Sequence, residues 1–107
     1  MRVADDSAGA VFAALADPTR REVVRLLAEQ PGLTASALAD ELPVSRQAIA
    51  KHLGILHDAG LAEAAREGRE TRYRLTPAPM NDAMAWMART GARWDDRLAR
   101  LERRLLA

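Results

Sequence analysis

The sequence contains no cysteine. It therefore has no disulfide framework, no thiolate metal site and no cysteine nucleophile. It also has no apolar run that approaches the roughly 20 residues of a membrane span, and no N-terminal stretch like the apolar region of a signal peptide. From these absences we expect a soluble, cytoplasmic protein that makes no membrane contact.

Lysine is scarce as well, since Lys51 is the only one, beside abundant arginine and alanine. A chain of 107 residues is long enough for one domain, and its net charge of +1 says little about partners. The distribution of charge says more. Residues 1–43 carry four arginines against seven acidic residues, whereas residues 44–76 carry six basic residues against four acidic ones. A polyanion would therefore meet the middle of the chain.

The middle of the chain predicts two short helices joined by a tight turn. The first runs over about Thr34 to Glu41, with apolar residues at helical spacing, and Pro43 ends it. Ser45 is a suitable N-cap for the second helix. That helix runs to about Ala59, where Gly60 supplies the left-handed residue after the last turn.

The second of these helices has two different faces. Its apolar face, expected in the core, consists of Ile49, Leu53 and Leu56. Its opposite face has no large apolar side chain and few charges, and it carries Gln47, Ala50, Lys51 and Gly54. A face of small and hydrogen-bonding residues suits a helix that enters a groove, which is the helix-turn-helix arrangement.

Two further helices are predicted upstream, over residues 8–16 and 18–28, and residues 1–7 are expected to be frayed. Asp17 is the predicted N-cap of the second of these helices, with Pro18 at its first position. Its arginines, Arg20, Arg21 and Arg25, are expected to be exposed.

Strand-like patterns follow Gly60, over residues 61–66 and 70–75, on either side of the loop Glu67-Gly68-Arg69. Tyr73 and Leu75 should share one face of the second strand, with Arg72 and Arg74 on the other. A hairpin directly after a helix-turn-helix predicts a winged helix. The fold class is then mainly α with a small β-hairpin, in the order α-α-α-α-β-β-α.

The tip of the hairpin carries Arg66 and Arg69, which places two cations where they can reach phosphate or the minor groove. The alternative is an ordinary solvated hairpin in which Glu67 and Glu70 cancel the arginines. The residues alone leave both interpretations open.

After a spacer over residues 76–79, one long helical pattern continues to the end of the chain. It has an a/d repeat formed by Met80, Met84, Met87, Gly91, Trp94, Leu98, Leu101 and Leu105. Such a helix spans roughly 40 Å, more than a small domain can cover, so the repeat is predicted to pair with a second copy. Trp86 lies off the repeat and is expected to pack back on the domain. We divide the chain into a winged-helix core (8–77) and a C-terminal dimerisation helix (79–106).

Together these features resemble the ArsR/SmtB family of winged-helix repressors, over about residues 9 to 77. The resemblance is carried by Ala14-Leu15-Ala16-Asp17-Pro18-Thr19-Arg20-Arg21, by Leu38-Ala39, Ser45-Arg46-Gln47, Lys51-His52-Leu53, Leu56 and Ala59-Gly60-Leu61, and by Arg69-Glu70-Thr71-Arg72-Tyr73-Arg74-Leu75.

The resemblance implies a homodimer that binds a palindromic operator in double-stranded DNA and often represses its own gene. It also implies that the first and last helices form the dimer interface. The residues expected there are Phe12, Leu15, Met87, Trp94, Leu98, Leu101 and Leu105.

The resemblance further implies a ligand switch, but here the sequence departs from the family. Thr34 and Ser36 occupy the positions of the cysteines in the family's best-known metal site, and the last helix has no histidine for the alternative site. His52 and His57 are five residues apart, so they do not form an i, i+4 metal pair. We expect no metal and no cofactor, and any effector would be an unidentified small molecule.

For DNA contacts, Gln47 is the candidate base reader, because its amide can bond bidentately to adenine. Arg46 and Lys51 can contact phosphate or guanine, and Ser45 can cap its helix and still present amides to phosphate. For His52, a hydrogen-bonded position at the core edge and a phosphate contact are both open. The complete predicted set is Ser45, Arg46, Gln47, Lys51, His52, Arg66, Arg69 and Arg72.

Two other functions compete with DNA binding. An enzyme is not expected, because the sequence has no nucleophile elbow and no phosphate-binding loop. A winged helix that serves only as a protein-interaction module is the more serious alternative. It would present an apolar or acidic recognition face, which Gln47 and Lys51 argue against.

Overall fold

The computed structural model describes the backbone of residues 3–106 and the side chains of residues 8–106. Within that range, five helices accompany a three-stranded antiparallel sheet of strand order β1-β3-β2. In chain order the elements are α1 (Val3–Leu15), α2 (Pro18–Glu29), β1 (Leu33–Thr34), α3 (Ala35–Glu41), α4 (Arg46–Asp58), β2 (Ala62–Glu67), β3 (Glu70–Leu75) and α5 (Pro77–Leu106). The predicted winged helix-turn-helix with a long C-terminal helix is confirmed.

The core lies where α2, α3 and α4 meet the first helix and the base of the sheet. Its largest fully buried side chains are Leu27, Leu38, Ile49, Leu53, Leu56, Leu61, Val11 and Val23. Among the described side chains, no polar or charged one is buried. The apolar face predicted for α4 is therefore the face that the core uses.

Helix α1 is longer than predicted, because it begins at Val3 rather than at Ala8. Residues 3–7, expected to be frayed, are helical, while Met1 and Arg2 lie outside the described residues. A polar composition by itself does not distinguish a helical turn from a coil. Ala8, Val11 and Ala14 are buried at helical spacing along the inner face of α1.

The N-terminus of α2 has the predicted cap. The carboxylate of Asp17 accepts a hydrogen bond from the Arg20 amide at 2.9 Å, and Pro18 occupies the first helical position. This bond holds the pKa of Asp17 below its usual value of 3.8. A carboxyl whose pKa is lowered on folding stabilises the fold above its unfolded pKa, and that contribution is lost as the pH falls through the folded pKa.

We expect Asp17→Ala to lower the melting temperature by several degrees at neutral pH, because an orphan amide loses its partner. The difference from the wild type should begin to shrink as the pH falls below the unfolded pKa of about 3.9, and it should be lost once the pH passes below the lowered pKa of the folded carboxyl. Thermal melts across the acidic range measure both effects. Asp17→Asn is the control, because asparagine caps a helix without titrating. Equal destabilisation by both substitutions would contradict the capping role.

The C-terminal end of α1 is closed by two arginines from the first turn of α2. Arg20 donates to the carbonyl oxygens of residues 13 and 14, and Arg21 donates to those of residues 15 and 16. These carbonyls lie at the end of a helix, where no following helical residue supplies an N–H group to bond them. The predicted exposure of Arg20 is therefore wrong, because its guanidinium turns inward and the residue is half-buried. Arg21 and Arg25 are exposed, as predicted.

The helix-turn-helix is set by side-chain caps at both of its helices. Thr34 Oγ1 accepts from the Ala37 amide, and Ser45 Oγ accepts from the Ala48 amide, each at 3.1 Å. At the far end of α4, Gly60 has a φ of +77°. Its amide and that of Leu61 bond back to α4 at 2.9 Å in a Schellman motif. The predicted extent of α4 is thus confirmed within one or two residues.

The wing is the hairpin of β2 and β3, with a third strand that the sequence pattern did not predict. Gly68 and Arg69 form a two-residue loop with a positive φ of 63° at Gly68 alone, as in a type II′ turn. Strand β1 is only two residues long, and it pairs Leu33 with Tyr73 across the free edge of β3. Such a short strand has no periodicity of its own, so only the tertiary pairing reveals it.

Helix α5 begins two residues before its predicted start and is about 45 Å long. Pro77 and Pro79 lie in its first turn rather than in a spacer, which costs nothing because first-turn amides have no intrahelical acceptor. Trp86 packs back on the domain, as predicted, with its ring 5.7 Å from Phe12 in an edge-on arrangement. The second half of α5 extends away from the other elements, so the molecule including this helix is elongated, with extents of 68 × 28 × 22 Å.

Candidate nucleic-acid interface

Helix α4 presents the two faces that its sequence predicts. Gln47, Ala50, Lys51 and Gly54 are all exposed. A Cβ added at Gly54 would meet nothing within 4 Å, so the low profile of this face is not a consequence of internal packing. Ser45 and Arg46 stand exposed at the N-terminal end of the same helix. This face is therefore available for contact along its whole length.

The parity of the wing strands sorts their arginines into two groups. On one side of the hairpin, Arg66 pairs across with Thr71, and Ala64 pairs across with Tyr73. On the other side lie Arg72 and Arg74, as predicted from the alternation of the strand.

The side of the hairpin that carries Arg66, Thr71 and Tyr73 faces the helix-turn-helix. A cleft of about 440 Å³ separates the wing from the start of α3 and from the first turns of α4. Its charged lining consists of Arg46 from α4 and of Arg66, Arg69 and Glu70 from the wing. Among the described residues, none of these three arginines forms an ion pair with an acidic side chain. Three cations from two separate elements thus surround one concave surface.

The second group is neutralised within the wing. The Arg72 guanidinium lies 3.0 Å from Glu67 and 2.7 Å from Glu70, and it donates to the Gly32 carbonyl at 2.9 Å. Arg74 lies more loosely beside Glu67, at 3.9 Å. The alternative in which glutamates cancel the wing arginines therefore applies to Arg72 and Arg74. Glu70 also lines the cleft, but its carboxylate pairs with Arg72 rather than with Arg66 or Arg69. Arg72 ties the tip of the wing to the loop before β1.

His52 does not share the exposed face of α4. It is half-buried, and its Nδ1 lies 3.4 Å from Arg20 Nη1 on α2. His57 is exposed beside Asp58, with 3.4 Å between Nδ1 and Oδ1. Within residues 8–106, no three histidine or acidic side chains are grouped closely enough to hold a metal ion.

The sequence pattern missed the inward role of Arg20. The signal for it was present, since two arginines follow an Asp-Pro helix start and stand directly after the end of another helix. Long cationic side chains at that point are within reach of the preceding helix's last carbonyls. Their spacing alone does not say which of the two turns inward.

The apolar repeat of α5 remains uncovered within one chain. Trp94 and Leu98 are each 56% exposed, Leu101 is 52% exposed and Leu105 is 76% exposed. Arg97 stacks over the Trp94 ring at 5.7 Å. Of the other predicted interface residues, Phe12 and Met87 are also exposed, while Leu15 is half-buried against the core. Within residues 3–106, no helix is both long enough and apolar enough to cross a membrane.

Comparison with known proteins agrees with this architecture. A family described as a helix-turn-helix domain matches residues 15–64. The transcriptional repressor SdpR of Bacillus subtilis is 35% identical over 77 residues, which cover 72% of this chain and 84% of SdpR. An ArsR-like transcriptional regulator from Rhodococcus sp. RHA1 superimposes with a TM-score of 0.83 at 47% identity, over 92% of each chain.

A third similar protein is Mb0332 from Mycobacterium bovis, whose solution structure is that of a homodimeric winged helix-turn-helix DNA-binding domain. It superimposes with a TM-score of 0.63 at 29% identity, over 87% of this chain and 82% of that one. The resemblance seen in the sequence motifs is thus confirmed by whole-chain similarity, and the chain belongs to the ArsR family of transcriptional regulators.

Proposed function

We propose that the protein is a homodimeric, sequence-specific repressor that binds a palindromic operator in double-stranded DNA. Helix α4 enters the major groove, and the wing lies on the backbone or in the minor groove. The observation that carries the proposal is the exposed, low-profile face of α4 beside a cleft lined by Arg46, Arg66 and Arg69. A similar chain is itself a homodimeric DNA-binding domain, which supports both parts of the proposal.

The protein-interaction alternative has no comparable support. It calls for an apolar or acidic recognition face, whereas the exposed face of α4 carries an amide, a cation and two small residues. The adjacent cleft is cationic, which suits a polyanion rather than an ordinary protein surface.

Within this scheme the predicted contacts take different roles. Gln47 reads a base edge, since an amide can bond bidentately to adenine. Arg46, Arg66 and Arg69 bind phosphates, which position the protein without specifying sequence. Lys51 contacts phosphate or guanine from the same face, and the Ser45 cap leaves first-turn amides to meet a phosphate. Arg72 contributes by holding the wing in place.

We expect Gln47→Ala to lower the discrimination between operator and random DNA by roughly 1–3 kcal/mol, because one bidentate base contact is lost. The operator is first obtained by sequencing DNA fragments that the protein captures, starting with the region upstream of its own gene. Affinities for operator and random duplexes are then measured over a range of salt concentrations. Footprinting should show two half-sites about one helical turn apart.

The matched control is Arg69→Ala, which should weaken binding to both duplexes by similar factors and reduce the salt dependence. If Gln47→Ala weakens both duplexes equally, Gln47 does not read sequence. A footprint over a single unpaired half-site would exclude the dimeric mode of binding.

A further inference from the structure

Arg20 connects three helices through one guanidinium group. Its Nε donates to the Ala14 carbonyl at 2.6 Å, and its Nη2 donates to the Ala13 carbonyl at 3.3 Å, both at the end of α1. Its Nη1 lies 3.4 Å from Nδ1 of His52 on α4. Arg20 itself belongs to the first turn of α2. The side chain therefore spans from the last turn of α1 to the middle of the recognition helix.

The chemistry of the two groups fixes the direction of the bond. A guanidinium has only donors, so the ring nitrogen that faces it must accept. Nδ1 of His52 is therefore the acceptor in this bond.

His52 is well placed to transmit an orientation but poorly placed to read DNA. It lies about 140° around α4 from Gln47, next to the buried residues Ile49 and Leu56 on the helical wheel. It is half-buried, whereas every residue of the predicted reading face is exposed. A residue at this position affects the roll of α4 against α2 rather than the chemistry of its outer face.

The other end of the connection lies in the layer predicted to form the dimer. Helix α1 packs along α5, where Phe12 meets Trp86 and where Ala83 is buried. An arginine anchored on the last carbonyls of α1 therefore ties the recognition helix to that layer. In a dimer, two such ties would set how the two recognition helices are presented to successive major grooves.

We infer that His52 is a positioning residue: by accepting from Arg20, it holds the recognition helix in its operator-binding orientation relative to α1, without touching DNA. The inference rests on the proposed DNA-binding function, and it deepens that function by assigning a residue inside the fold. Of the two roles that the sequence left open for His52, the inference selects the hydrogen-bonded position at the edge of the core over the phosphate contact.

The first test compares two substitutions of His52 in the full chain. His52→Leu removes the acceptor and keeps a similar volume, whereas His52→Asn keeps an acceptor oxygen near the position of Nδ1. We expect His52→Leu to weaken operator binding about tenfold and His52→Asn to restore it to within about twofold. If both variants bind as weakly as each other, the acceptor has no role and the inference is overturned.

The second test separates the connection to α4 from the capping of α1. Arg20→Leu and Arg21→Leu each remove two caps from α1, but only Arg20 reaches His52. Both substitutions should lower the melting temperature by similar amounts, and only Arg20→Leu should also weaken operator binding. In the double variant, His52→Leu should add little to Arg20→Leu, because the two residues act as one unit.

The outcomes separate this inference from the proposed function. Equal losses of operator affinity in the Arg20 and Arg21 variants, or fully additive losses for Arg20 and His52, would assign the effect to general destabilisation or to a direct DNA contact. If the wild-type protein binds its operator and the His52→Leu variant binds it equally well, only the positioning role is overturned. Wild-type protein that binds no DNA would overturn both proposals.

Discussion

Replacing Leu98 by glutamate should convert the protein to a monomer and weaken operator binding by about a hundredfold or more. Leu98 lies in the middle of the exposed apolar repeat of α5, between Trp94 and Leu101. A charge buried in an apolar seam has no partner, so the seam opens. A monomer then binds each half-site independently and loses the gain in effective concentration that comes from linking two sites.

Light scattering coupled to size exclusion measures the first effect, and titration of the operator measures the second. Ala92→Glu is the matched control, because it adds the same charge to an exposed position about 120° around α5 from Leu98. This control should remain dimeric and bind normally. A Leu98→Glu protein that is still dimeric would show that the repeat of α5 is not the seam.

Removing the three cleft arginines should have the second large effect. Changing Arg46, Arg66 and Arg69 together to alanine would cost the proposed dimer six phosphate contacts. Each contact contributes about 0.9 to the slope of log affinity against log salt, so the slope should fall by roughly 5. We expect operator affinity near physiological salt to fall by about a thousandfold or more, while the fold stays intact because all three side chains are exposed.

The control variant removes the same number of positive charges from a different part of the surface. Arg89, Arg93 and Arg100 are exposed on α5, away from the cleft, and their triple alanine variant has the same net charge as the cleft variant. If the cleft binds phosphate, only the cleft variant should lose most of its salt dependence. Similar losses in both triple variants would mean that net charge, rather than the cleft, attracts the DNA.

Much of this fold was predictable because its boundaries are set by local chemistry. Asp17, Thr34 and Ser45 cap helices through hydrogen bonds to amides only three residues away, so a short sequence window contains both partners. Gly60 supplies a positive φ that other residues rarely adopt. The alternation of Tyr73 and Leu75 with Arg72 and Arg74 assigned the two faces of the wing correctly.

The features that were missed depend on partners distant in the sequence. Strand β1 exists because Leu33 reaches Tyr73, 40 residues away. The inward turn of Arg20 depends on the approach of two other helices. Pro77 and Pro79 resemble a spacer in the sequence, but they fit the first turn of α5 because it begins with amides that need no acceptor.

In the candidate site, too, the features set by local chemistry were predictable and those that depend on distant partners were not. The sequence predicted α4 as the candidate recognition helix and the wing as its neighbour, since both predictions follow from periodicity, caps and turn residues that act over a few positions. It left open whether the wing arginines are free or cancelled by Glu67 and Glu70. Three-dimensional packing resolved this, because strand parity and the pairing of Arg72 put one set of cations into the cleft and neutralised the other. Charges interact through space at distances that chain order does not specify, and so their roles depend on the folded arrangement.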